Sequence, residues 1–133
     1  MKGTVHHTEQ TFGAVVRQSF GVTRHVFAWI ADANGDVLLR LSPGIIAGSP
    51  YRLVTAPGTT APTDNYDITI VSWLGLDLLQ GFGADRDTAT VEQEWIRQAS
   101  DHAASPPPSH CWYEFTVANA GAGGVGVAVL YCR

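Results

Sequence analysis

Residues 51–93, YRLVTAPGTTAPTDNYDITIVSWLGLDLLQGFGADRDTATVEQ, decide the fold, because short β-forming runs there are cut repeatedly by turn chemistry. The run 51–56 ends at Pro57-Gly58. Ala61-Pro62-Thr63-Asp64-Asn65 then leads into a segment where Tyr66, Ile68 and Ile70 alternate with Asp67, Thr69 and Val71. A period of two sends successive side chains to opposite faces, so this segment reads as a half-buried strand. Leu74-Gly75 supplies a turn that folds residues 76–79 back on 67–73 as a hairpin.

The same texture continues in both directions, with strand candidates at 14–20, 24–32, 36–41, 51–56, 66–73, 76–79, 112–118 and 125–132. Asn34-Gly35, suited to positive φ at both positions, predicts a hairpin over 24–41. Pro43, Gly44, Gly48 and Pro50 mark a connection, since proline donates no ladder hydrogen bond. Residues 112–118 and 125–132 read as a further hairpin around 120–124. Pairing Tyr113 with Tyr131, Phe115 with Val129 and Val117 with Val127 gives the better apolar match and sends Cys111 and Cys132 to opposite faces, against a disulfide.

Residues 90–103 stay open between strand and helix. Thr90 and Gln93 have capping-box spacing and Val91, Trp95 and Ala99 recur every fourth position, whereas Thr88, Thr90 and Val91 are β-branched. Residues 103–110, with Pro106-Pro107-Pro108, form an exposed loop. Evenly spaced strands with Gly and Pro turns predict one all-β domain over residues 1–133. Its expected form is an antiparallel β-sandwich, jelly-roll-like or immunoglobulin-like, of eight or nine strands with at most one short helix near 90–103.

Composition bounds the function. The chain has 133 residues, enough for one core, and is 45% hydrophobic but only 15% charged. An average soluble protein is about 25% charged, so this surface is unusually neutral. Four Trp, four Tyr and five Phe cannot all be hidden, and extended apolar patches mark partner contacts, which predicts assembly into oligomers. Phe27 and Trp29 share one face of their strand while Val26, Ala28 and Ile30 take the other, so this strand needs two coverings, as does 125–131.

The net charge of −4, with no cationic cluster, argues against nucleic acid as a partner. No apolar run approaches the ~20 residues of a membrane span. MKGTVHHTEQ at the start lacks the apolar centre of a secretory signal. Seven of the eight basic residues are Arg, a bias that suits interfaces and equally reflects a high-GC genome.

Catalytic patterns are missing from the sequence. Gly81-Phe82-Gly83 has no third glycine at phosphate-loop spacing, and residues 120–126 carry no Lys-Ser or Lys-Thr, so both read as turns. Asp85, Asp87, Glu92 and Glu94 match no calcium loop and read as a salt-bridge cluster with Arg86 and Arg97. His6, His7, His25, His102 and His110 are scattered, and two cysteines without companions make no zinc site. The expectation is a protein without catalysis, cofactor or metal.

The motif RLVTxPGxxAPTDNYDIT at 52–69, GxGADRDTATxEQ at 81–93, and the ending with Val127, Val129, Leu130, Tyr131 and Arg133 together resemble a group of small structural proteins of tailed-phage virions. The resemblance covers roughly residues 9–133, departing where Val71-Ser72-Trp73-Leu74 replaces a more acidic turn and where 95–111 is expanded. It implies an all-β, multimeric virion component, made in the host cytoplasm, whose partners are the major capsid protein or other virion proteins. Within that group a capsid cement or decoration protein is favoured, a head-to-tail or tail component comes next, and a tail carbohydrate-binding module is more distant. Since Trp and Arg are enriched at energetic centres of interfaces, the candidate contact residues are Arg17, Arg24, Trp29, Trp73, Trp95 and Trp112.

Overall fold

A computed structural model describes residues 3–12, 22–46, 49–96 and 112–133. Those residues form eight strands: β1 (Thr4–Phe12), β2 (Val22–Ile30), β3 (Val37–Leu41), β4 (Pro50–Pro57), β5 (Asp67–Ser72), β6 (Glu92–Trp95), β7 (Tyr113–Ala118) and β8 (Val125–Cys132). All pairings are antiparallel. One sheet has the order β1-β2-β8-β4-β6, the other β3-β7-β5, and together they make a sandwich-like arrangement rather than a closed barrel. The described residues contain no helix, and hence none long and apolar enough to cross a membrane.

The core follows from alternation. β2 turns His25, Phe27 and Trp29 inward, β8 contributes Ala128 and Leu130, and β4 contributes Leu53 and Thr55. Facing them are Val37 and Leu41 of β3, Ile68 and Ile70 of β5, and Tyr113, Phe115 and Val117 of β7. The Phe27 and Phe115 rings stack between the sheets, 4.3 Å apart and 6° from parallel. Trp29 lies across Gly126, its partner in the β2–β8 ladder, and leans on Tyr66 with ring centres 5.5 Å apart.

Strand pairing departs from the predicted hairpins. Asn34-Gly35 does reverse the chain: Gly35 has φ 82°, and Asp32 Oδ1 accepts the Asn34 and Asp36 amides at 2.8 and 3.0 Å. Yet β2 pairs with β1 and β8 while β3 pairs with β7, so the turn is a corner between sheets. Residues 119–124 form a second corner, because β7 belongs to the small sheet and β8 runs between β2 and β4. The pairing of Tyr113 with Tyr131 therefore does not exist. Cys132 is buried at the end of β8, and Cys111 lies outside the described residues.

The two corners are stitched together. Ala120 donates to the Gly35 carbonyl at 3.0 Å, Gly123 to that of Asp32 at 3.2 Å, and the Ala31 amide reaches Gly124 at 2.8 Å. A methyl on Gly35 would sit 2.6 Å from the Gly121 nitrogen, so this position needs glycine for space as well as for its φ.

Three other local expectations also change. The hairpin expected over 67–79 closes only as a single antiparallel bridge, Val71 with Asp77, with the Leu78 amide donating to the Ile70 carbonyl at 2.7 Å; residues 78–80 then turn instead of extending a strand, because the Asp77 carboxylate accepts the amides of Ile70 (3.1 Å), Leu79 (3.0 Å) and Gly81 (2.9 Å). The open segment 90–103 resolves as strand at Glu92–Trp95, and its remainder from 97 lies outside the described residues, as do the strand expected at 14–20 and the loop at 103–110. β1 was not foreseen.

Candidate functional site

β2, β8 and β4 are apolar on both faces. Their inner residues fill the core, and the outward ones remain at the surface as a band of Val26, Val54, Val129, Val127, Ala56 and Ala28, none of them buried. The three-stranded sheet differs. Its outward face carries Arg40 and Glu114, paired at 3.1 Å, and a hydrogen-bonded pair, Thr69 and Thr116. Leu38, 38% exposed, and Val71 add smaller apolar areas to that face, so among the described residues the broader apolar band belongs to the larger sheet.

One end of that face is bordered by a row of large groups. The ladders place Arg24 opposite Tyr131, Tyr131 opposite Arg52, and Arg52 opposite Trp95, so the four side chains project together. The Arg52 guanidinium sits 5.3 Å from the Tyr131 ring centre and 5.7 Å from that of Trp95, and it donates to Gln93 Oε1. Such stacking holds a cation by the ring quadrupole and fixes its long stem. A bulge between Pro50 and Arg52 brings Tyr51 to the same cluster, 6.2 Å from Trp95 and 6.3 Å from Tyr131. Arg133 lies over Tyr51 at 4.7 Å, and a shallow depression of about 320 Å³ is lined by Tyr51, Trp95, Ile96 and Arg133.

The six predicted contact residues fare differently. Arg24 and Trp95 join this row, with Trp95 50% exposed on the short β6. Trp29 is a correction: at 1% exposure it is core, because its strand parity faces the second sheet and it reaches no external partner. Trp73 stands 53% exposed on the turn after β5, and Trp112 packs under Arg40 at 4.3 Å beside the small sheet, both away from the row. Arg17 lies outside the described residues. Tyr51, Arg52, Tyr131 and Arg133 were missed, although the alternation of Val125, Val127, Val129 and Tyr131 already put Tyr131 at the end of an apolar face.

The polar groups elsewhere are interior or structural. His25 is buried and within 3.1 Å of His7, and burial first, then the neighbouring His7 charge, lowers its pKa to about 4. Burial raises the pKa of the Tyr66 phenol. Arg86 reaches Glu94 at 3.5 Å and Glu92 at 3.9 Å, two of the four carboxylates expected around it, and it is buried where a solvated cluster was expected; Arg97 lies outside the described residues. Hydrogen bonds from the Ala89 amide and the Thr90 hydroxyl hold the Asp87 carboxyl below its usual range. Among the described residues no three His, Cys, Asp or Glu side chains gather where they could hold a metal ion. Compared with known proteins, the chain matches no family model, and neither the curated proteins nor the solved structures contain a significant match to it.

Proposed function

We propose that this protein is a non-enzymatic structural component of a tailed-phage virion, a cement or decoration protein that docks on the assembled capsid shell through the outer face of its five-stranded sheet. The observation that carries the reading is that face: a valine-rich band left at the surface and bordered by Arg24, Tyr131, Arg52 and Trp95. Apolar centres with Trp, Tyr and Arg anchors are what energetic protein contacts are made of. The sequence resemblance supplies the virion context.

The mechanism is linkage. A protein that binds only the assembled state stabilises it by about 2.7 kcal/mol when present at one hundred times its dissociation constant, with no covalent step. The stacked Arg52 loses little conformational freedom on docking, because Tyr131 and Trp95 already hold it. A sugar-binding platform fits less well: the Tyr51 ring is inclined 27° to Trp95 and 51° to Tyr131, and Arg133 covers it.

The test strips the protein from particles, adds it back, and measures resistance to heat and pressure. Wild type restores resistance and the double variant R52A/W95A does not. Full restoration by that variant overturns the docking face. A particle map with this protein at the neck or tail instead of the shell overturns the cement assignment in favour of a head-to-tail or tail component.

A further inference from the structure

Two ways of holding an arginine occur in this fold. Arg40 pairs with the Glu114 carboxylate at 3.1 Å, and Arg86 with that of Glu94 at 3.5 Å. On the outer face of the larger sheet the partners are rings instead. Arg52 lies against Tyr131 and Trp95 and Arg133 lies over Tyr51, and among the described residues neither has an Asp or Glu within ion-pair distance. A ring holds a guanidinium in place without cancelling its charge.

The acids are sorted away from this face. Among the described residues no outward position of the five-stranded sheet is Asp or Glu. On β6, Glu92 and Glu94 stand opposite the inward Thr55 and Leu53, while Gln93 and Trp95 take the outward positions. A chain of net charge −4 thus presents cations and no carboxylate side chain on its broad apolar face. The cations also adjoin a concavity. The depression of about 320 Å³ has Arg133, Tyr51, Trp95 and Ile96 as its walls, and the Arg52 guanidinium is 5.7 Å from the Trp95 ring centre. That volume is at the low end of the roughly 300–1,000 Å³ of small-ligand sites, which suits side chains of a docked segment.

The geometry points to an acidic partner: a polypeptide segment of a different protein whose Asp or Glu carboxylates bind Arg52 and Arg133, with aliphatic neighbours that cover the valine band. Gln93 Oε1 takes only one side of the Arg52 guanidinium, and its other N–H groups are donors in the planar fork that carboxylates accept. The rings beside it lower the local dielectric and strengthen that attraction. Two other occupants fit less well. A second copy meeting this face with its own brings cations against cations, since an isologous contact is self-complementary. A nucleic-acid backbone needs a track of cations, and two arginines beside a valine band make none.

The inference rests on the docking reading, because it names what the partner's surface carries, and it is tested on the purified chain. The probe is a fluorescein-labelled peptide of alternating Glu and Val, compared by anisotropy with the same peptide carrying Gln for Glu and with single-stranded oligothymidine. The Glu peptide is expected to bind at least about tenfold more tightly than the Gln peptide, and to weaken about tenfold as salt rises from about 50 to 300 mM. R52A and R133A each weaken it at least about fivefold with near-ultraviolet circular dichroism retained, and R52K, which keeps the charge but loses the fork, recovers only part. R40A removes the same charge from the other sheet and leaves binding unchanged. Equal binding of the Gln peptide, tighter binding of oligothymidine, or a loss in R40A as large as in R52A each overturns the proposal. Self-association of wild type that R52A abolishes assigns the face to another copy and overturns it as well. The two readings fall separately: a chain that restores particles but ignores the Glu peptide keeps the docking face and loses the acidic partner, whereas arginine-dependent peptide binding without restoration of particles does the reverse.

Discussion

Replacing Gly126 by alanine tests the tightest contact in the core. Gly126 faces inward on β8, directly opposite Trp29, and the indole lies flat against its backbone. An added methyl would stand 2.8 Å from Trp29 Cε2 and 3.1 Å from Cη2, with Cζ2 nearer still. The indole has nowhere to withdraw: it is 1% exposed and backed by Tyr66. Overpacking a fitted core costs about 1–3 kcal/mol, and the lost unfolded-state freedom of glycine returns about 0.4–1 kcal/mol. The net loss expected for G126A is therefore about 1–2 kcal/mol, which lowers the Tm by about 4–8 °C in a domain of this size. A double-mutant cycle separates the clash from a general dislike of alanine. W29F removes the outer ring atoms and destabilises by opening a cavity, but in that background G126A becomes neutral or mildly stabilising, a coupling of about 1–2 kcal/mol. Urea unfolding of the four proteins gives the cycle directly. Equal cost of G126A in both backgrounds refutes the packing argument.

Two further outcomes are expected. His25 is buried with its pKa lowered to about 4, whereas the unfolded chain protonates near 6.5, so between these values the unfolded state holds more protons and stability falls as pH falls. The loss, complete near pH 4, is on the order of 3 kcal/mol. H25L removes that slope even where it lowers stability at neutral pH, and an unchanged slope in denaturation curves from pH 7 to 4 refutes the assignment. D77A unties three backbone amides at once and costs about 2 kcal/mol. Hydrogen exchange at Ile70, Leu79 and Gly81 rises in that variant, and unchanged protection at those amides refutes the anchoring role.

The amino-acid sequence by itself determined which segments are extended and which surfaces are greasy. Alternation placed six of the eight strands within a few residues: β2, β3, β4, β5, β7 and β8. It missed β1, whose outward Thr4, His6 and Thr8 and few apolar residues carry little strand signal at a sheet edge, and it left β6 undecided because the four residues there fit either period. The two-faced apolar character of 24–32 and 125–131 was also legible, and it marks the surface on which the proposed docking stands.

Partnership between strands was decided only in three dimensions. A turn such as Asn34-Gly35 fixes a local reversal of the chain, but the ladder that the returning strand joins is set by which inner faces pack across the sandwich, with Phe27 on Phe115 and Trp29 on Gly126 and Tyr66. Both corners look like hairpins from within their own few residues. The row of Arg24, Tyr131, Arg52 and Trp95 was equally hidden, since its members are far apart along the chain and become neighbours only through the β2–β8–β4–β6 register. Residue type supplied the candidates, and non-local hydrogen bonding and core packing chose which of them share a surface.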